Sequence, residues 1–185
     1  MPRRVFVAID LPEKAKAEIS GAITEWRWLP IRWLDPANWH VTLIPPVYLL
    51  DDEIEFFGKY LARYRLGGPF RMQFERMVLA PPGVSARMIW LEGRTPPELV
   101  RLQEKITVLW AKKPADLPPL RETPRRATLH TTLARFEPGD LREIQTKTRV
   151  LGETKVLCTA NEIAIMESHL KSSGAEYETI TAIAL

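Results

Sequence analysis

A single cysteine, Cys158, among 185 residues excludes an internal disulfide and a zinc site built from thiolates. Its neighbours in KVLCTANEIAIM make it a small buried hydrophobe rather than a nucleophile. No apolar run approaches the ~20 residues needed to cross a bilayer. The start, MPRRVFVAIDLPE, has too short an apolar part and turns acidic too soon for a secretory signal. These absences predict a cytoplasmic protein with no membrane partner. Also missing are the Gly-x-Ser-x-Gly nucleophile elbow, the Walker phosphate loop and the His-Glu-x-x-His zinc helix. Histidine is scarce as well, with only His40, His130 and His169. The length is that of one domain or of two small lobes sharing a core, and one unit over residues 1–185 is expected.

The net charge is a modest +3, but the basic excess is local: Lys112, Lys113, Arg121, Arg125, Arg126 and Arg135 face only Asp116 and Glu122 in that segment. Such a stretch suits a polyanion such as RNA, or is a solvated loop with no partner.

Hydrophobic periodicity gives a strand over Arg4 to Asp10, then a helix carrying Ala15, Ile19, Ala22, Ile23 and Trp26 behind Pro12 and Glu13. A strand at His40 to Leu43 precedes a second helix with Ile54, Phe57, Leu61 and Tyr64, its start loaded by Asp51, Asp52 and Glu53. Strands follow near Phe70 to Leu79 and Arg87 to Glu92. The order then begins again, with a helix through Leu99, Leu102, Ile106, Leu109 and Trp110, a strand at Leu129 to Leu133, a helix near Asp140 to Arg149, and two strands near Lys155 to Met166 and Glu176 to Ala184. The chain reads as two copies of one plan, a repeat of pattern rather than of residues.

Each copy carries the same anomaly. The stretch WHVTL holds His40 and Thr42; LHTTL holds His130 and Thr132. Chance would put His-x-Thr-Leu at two of three histidines about once in ten thousand such chains, given ordinary residue usage. On a strand, residues i and i+2 share a face, so each lobe offers one imidazole and one hydroxyl while Val41 and Leu43 pack behind. Taken singly, each histidine reads as a satisfied half-buried residue and each threonine as a β-former; the duplication favours chemistry. Two imidazoles facing each other can divide an in-line displacement at phosphorus, one taking a proton from water and the other giving one to the leaving oxygen. Threonine hydroxyls can hold the phosphoryl oxygens. No carboxylate and histidine set suited to a divalent metal can be assembled, so neither metal nor cofactor is expected.

These motifs, with the opening RVFVAIDLPE, the extension HTTLARF and the closing MESHLKSSGAEYETI, resemble the two-histidine phosphoesterases over nearly the whole chain, and within them the RNA 2′,3′-cyclic phosphodiesterases, or 2′-5′ RNA ligases. The resemblance implies an α+β fold of two pseudo-symmetric lobes, antiparallel sheets with helices outside and the active cleft between. It implies metal-free and nucleotide-free opening of a terminal 2′,3′-cyclic phosphate to a 2′-phosphate, in some relatives also the reverse 2′-5′ joining. By that pattern His40, Thr42, His130 and Thr132 are catalytic, with His40 the acid and His130 the base, and Arg135 binds phosphate or RNA. The partner implied is RNA with a cyclic phosphate end, tRNA fragments included, and a monomer is expected. Relatives usually continue the first motif with a basic residue and Phe-Leu-Gly, where this chain has Ile44-Pro45-Pro46. They often carry arginine in the last hairpin, where it has His169, read here as an exposed hairpin residue.

Arg135 stands five residues past His130, an odd offset that needs a bulge or strand end to turn it inward. Trp39, and less so Trp33, are candidates to stack on a terminal base. Arg125 and Arg126 are candidate contacts to longer RNA. Two other readings stay open: a phosphoesterase acting on small cyclic nucleotides or an ADP-ribose cyclic phosphate, and a non-enzymatic RNA-binding module.

Overall fold

The computed structural model describes residues 1–81, 86–112, 118, 120, 124–140, 144, 152–171 and 174–185. Strand β1 (Arg3–Asp10), buried from Val5 to Ile9, leads through Pro12 into α1 (Glu13–Ala22). The helix ends four residues short of Trp26, and the chain continues as a 3-10 turn, Thr24–Trp26. A short β2 (Arg32–Trp33) follows, then a 3-10 turn over Pro36–Asn38, whose first free amide, Ala37 N, donates to the Asp35 carboxylate at 2.8 Å.

That turn delivers the chain into β3 (His40–Leu49), which runs well past Pro45 and Pro46. The prolines are tolerated because β3 is an outer strand and its pairing with β1 skips there, Val5 opposing Val47 and Val7 opposing Ile44. Next come α2 (Asp51–Ala62), β4 (Phe70–Ala80), β5 (Met88–Gly93), α3 (Pro97–Ala111) and β6 (His130–Arg135). The stretch expected as one strand from Lys155 to Met166 is two, β7 (Glu153–Ala160) and β8 (Glu162–Lys171), broken at Asn161; β9 (Gly174–Ala184) closes the chain. The helix expected over Asp140 to Arg149 falls largely outside the described residues.

The sheets are antiparallel, in the orders β3-β1-β8-β9 and β2-β6-β5-β4-β7. Set β2 aside and the orders correspond strand for strand, β3 with β6 and β1 with β5, which is the duplicated plan of the sequence. The halves also exchange strands. β4, which follows the first motif, joins the second sheet, and β8, which follows the second motif, pairs with β1 in the first. Gly93 shows how tightly β4 and β5 meet, since a Cβ there would stand 1.9 Å from the Gln73 carbonyl oxygen. One continuous core behind the sheets includes Ile9, Leu43, Phe57, Phe74, Ile89, Leu133 and Ile163, each burying apolar surface worth roughly 1.5–3 kcal/mol. Cys158 is buried, as expected, and burial pushes its thiol up to about 11. A second, smaller cluster of Phe6, Ala8, Ala164 and Met166 covers the other face of β1 and β8. No helix among the described residues is long and apolar enough to cross a membrane.

Candidate active site

The two motifs occupy equivalent places. In the β1–β3 pair, Asp10 opposes His40 and Ala8 opposes Thr42; in the β5–β6 pair, Glu92 opposes His130 and Trp90 opposes Thr132. Directly after each threonine the ladder slips by one residue. Ala8 pairs with Thr42 but Val7 with Ile44, passing over Leu43; Trp90 pairs with Thr132 but Ile89 with Ala134, passing over Leu133. A bulge advances the side-chain phase, so both Leu43 and Ile44, and both Leu133 and Ala134, are buried. In β6 the next residue, Arg135, is thereby returned to the face of His130, which resolves its odd offset.

His40, Thr42, His130, Thr132 and Arg135 line one cavity of about 210 Å³, together with Arg4, Phe6, Pro46 and Tyr177. The imidazoles are held by the same device. His40 Nδ1 donates to Asn38 O at 2.8 Å and His130 Nδ1 to Thr128 O at 3.1 Å, in each case the carbonyl two residues upstream. A carbonyl can only accept, so each of these bonds needs the proton on Nδ1 and leaves Nε2 for chemistry; at His130 the Thr128 hydroxyl, 2.9 Å from Nδ1, shares that ring nitrogen. His40 Nε2 lies 3.1 Å from Thr42 Oγ1, which donates to it while the ring is neutral. Asn38 does more than lend its carbonyl: its side-chain amide donates to Ala175 O at 3.1 Å and its Oδ1 accepts from Tyr177 N at 3.0 Å, clipping the His40 turn to β9.

The surroundings of the two rings differ. His40 meets Phe6 and Tyr177 at centroid distances of 4.9 and 5.0 Å, and loss of hydration in this aromatic enclosure, with the charges of His130 and Arg135, lowers its pKa to about 4. Burial also holds His130 below its ordinary value, opposed by the hydrogen bond to Thr128 and by the charge of Glu92. Its ring stacks on Trp90 at 3.9 Å, a face that favours the cationic form.

Crystal structures of known proteins share this architecture. Over 100% of this chain and 99% of its own, E. coli LigT complexed with 3'-AMP superposes with a TM-score of 0.75 at 19% identity. The fold is that of the LigT crystal structures. LigT complexed with phosphate gives a TM-score of 0.74 at 19% identity over 100% of this chain and 98% of its own. TT0787 of Thermus thermophilus gives 0.69 at 23% identity over 98% and 97% of the two chains. No protein-family model and no curated protein matches the sequence.

Within this fold the motif residues and Arg135 converge, whereas other candidates do not. Trp39 is fully buried and presents no face to a base, which corrects its assignment as a substrate contact. It sits on the opposite strand face from His40 and packs in the core with Val41. Arg125 and Arg126 are exposed and lie outside the residues that line the cavity. His169 is also outside. Ser168 bonds Arg4 and Met166 packs on Phe6 on the cleft side, so Glu167 and His169, one step out of phase, face away. There Glu167 accepts from Arg3 at 2.9 Å and His169 Nε2 lies 3.4 Å from Glu178. Residues that escape a reading of the motifs alone include Arg4, Phe6, Asn38, Trp90 and Tyr177. Of these, Trp90 carried a usable signal, since it alternates with Glu92 on the strand that the duplicated plan pairs with the second motif.

A buried glutamine ties the halves together behind the cavity. Gln103 of α3 donates to Leu43 O at 3.0 Å and to Arg125 O at 2.9 Å, while its Oε1 accepts from Ala127 N at 2.6 Å. The bulged carbonyl of the first motif is thus anchored to the segment that enters the second.

Proposed function

We propose that this protein is a phosphoesterase that opens the 2′,3′-cyclic phosphate at the end of an RNA to a 2′-phosphate. The observation that carries the reading is the duplicated histidine: two imidazoles, each fixed through Nδ1 on the carbonyl two residues back, line one small cavity with two threonines and two arginines, Arg4 and Arg135. No carboxylate is among the described residues lining that cavity, so its donor set suits an anion rather than a hard divalent cation.

With the cyclic phosphate between the rings, Arg135 and the threonine hydroxyls take the charged phosphoryl oxygens. A neutral ring accepts a proton from water as its oxygen attacks phosphorus, and the charged ring delivers one to the departing 3′ oxygen on the opposite side. The family order makes His40 the donor and His130 the acceptor. In the free protein the proton rests more easily on His130, so this order requires the bound anion to raise His40. The test is incubation with RNA ending in 2′,3′-cyclic phosphate beside a panel of small cyclic nucleotides, with and without EDTA, mapping the product. A 2′-phosphate formed from RNA without metal or ATP is the expected result. A 3′-phosphate, or activity abolished by EDTA and restored by a divalent metal, would overturn it.

A further inference from the structure

The catalytic cavity opens into a larger one of about 570 Å³, and the two share Arg4, Leu34, Asn38, Arg135 and Tyr177. Arg32 joins the lining there. In the β2–β6 pair Arg32 stands directly opposite Arg135, so two guanidinium groups of like charge share one cross-strand position. Like charges so placed repel, and among the described residues neither has a carboxylate partner. Arg4 has only a neutral one, donating to Ser168 Oγ at 2.6 Å. Some arginines elsewhere are paired, Arg3 with Asp51, Arg76 with Glu92 and Arg101 with Glu98. The carboxylates lining this groove are already engaged, Asp35 by Ala37 N and Glu176 by Lys171. Glycine at position 174, at φ +131°, leaves the Arg32 guanidinium room, its Nη1 lying 3.1 Å from where a Cβ would stand. With Arg135 taken by the phosphate in the catalytic cavity, Arg32 and Arg4 remain without carboxylate partners along one continuous groove and call for a second anion.

We propose that this groove binds a second phosphate of the substrate, the one on the 5′ oxygen of the nucleotide whose cyclic phosphate occupies the catalytic cavity, with Arg32 and Arg4 as its ligands. This rests on the phosphoesterase reading above and narrows it. The ribose that presents a 2′,3′-cyclic phosphate carries its next phosphate at the 5′ position, and the shared wall of Tyr177 and Asn38 lets one nucleoside span both spaces. The preferred substrates are then nucleotides that bear a 5′-phosphate, as every RNA terminus of more than one residue does, over a bare nucleoside cyclic phosphate.

The experiment compares three compounds with the wild-type protein and Arg32→Gln: a nucleoside 2′,3′-cyclic phosphate, the same compound with a 5′-phosphate, and a dinucleotide ending in the cyclic phosphate. In the wild type the 5′-phosphate should raise kcat/KM about tenfold, as a charge-assisted contact does. Arg32→Gln should erase that gain and change the bare nucleoside less than about twofold. A dinucleotide better than the 5′-phosphorylated compound identifies the source as an RNA chain, and equality identifies a free nucleotide; both keep the groove. No gain from the 5′-phosphate in the wild type, or an equal loss on all three in the variant, would overturn it. If the wild-type protein hydrolyses none of them, the phosphoesterase reading fails separately. The groove is then judged by binding of a nucleoside 2′-phosphate with and without a 5′-phosphate. The added phosphate should steepen the dependence of log affinity on log salt by about 0.7 in the wild type but not in the variant, and an unchanged slope would overturn the groove.

Discussion

The lobe that carries His40 and the lobe that carries His130 share a backbone design and differ in what decorates it. Both have the carbonyl hook on Nδ1 and the bulge after threonine. Past the bulge, however, the first strand continues with Pro45 and Pro46 while the second turns Arg135 into the cavity. His40 is enclosed by Phe6 and Tyr177, whereas His130 lies against Trp90 with Glu92 across the ladder. Duplication supplies two imidazoles aimed at one space, and unequal surroundings give them unequal proton affinities. A reaction that needs one ring charged while the other is neutral depends on that inequality as much as on the symmetry.

The largest effect should come from removing either ring. His40→Ala and His130→Ala should each lower turnover at least about a hundredfold while the fold survives. An aryl phosphodiester whose leaving group needs no proton separates them: the variant lacking the acid should recover on it and the variant lacking the base should not. Recovery of both, or of neither, would remove the division of labour. Thr42→Val and Thr132→Val should cost less, about tenfold each.

Next in size is the link between the lobes. Gln103→Leu leaves Leu43 O and Ala127 N unpaired in a buried setting and frees Arg125 O in a part-buried one, so thermal or denaturant unfolding should show about 3 kcal/mol lost. A loss below ~1 kcal/mol would mean that the anchor is dispensable.

Acidity tests the inequality directly. Both rings are held below their ordinary value of 6.5, His40 at about 4, so the singly protonated free protein peaks on the acid side of 6.5. Accordingly kcat/KM should rise as pH falls from 7 and decline again towards 4, while the kcat optimum, set with the anion bound, should lie higher. Stability follows the same shift. Between 6.5 and 4 the unfolded chain takes up a proton that folded His40 refuses, so stability falls as pH falls through that window. His40→Asn should flatten this slope; an unchanged slope would show that His40 is not its source.

The smallest effect concerns the exposed pair. Arg125→Glu with Arg126→Glu should leave turnover of a mononucleotide within about twofold, and should reduce the salt dependence of longer RNA by about 0.7 for each phosphate the arginines no longer neutralise. Equal loss on both substrates would bring the two arginines into the site.

How far the sequence speaks is seen residue by residue. Alternation places His40 with Thr42 and His130 with Thr132 correctly, and the same alternation puts Trp39 with Val41 on the buried side. For Trp39, phase along the strand is the better guide than nearness to the motif. The prolines after Ile44 conceal a strand because their tolerance depends on β3 being an outer strand, a tertiary property. Lys155 to Met166 reads as one strand because only Asn161 interrupts its β-forming residues, and nothing local says that the chain changes sheets there. Arg4 and Arg32 become part of a binding surface only when strands far apart in sequence are laid side by side.

The exchange of β4 and β8 between the sheets bears on whether the protein could be divided and reassembled. Cut between β4 and β5, the first fragment would hold a strand that belongs in the other fragment's sheet, and the second would hold β8, the partner of β1. Each piece would carry one motif histidine and an unfinished sheet, with β2 and β4 unpaired in the first and β7 in the second, while β8 would keep β9 but lose β1. Neither should turn over substrate alone, while the mixture should recover activity in proportion to complex formed. The chain is therefore a natural candidate for a split reporter, in which the two imidazoles meet only when the fragments do.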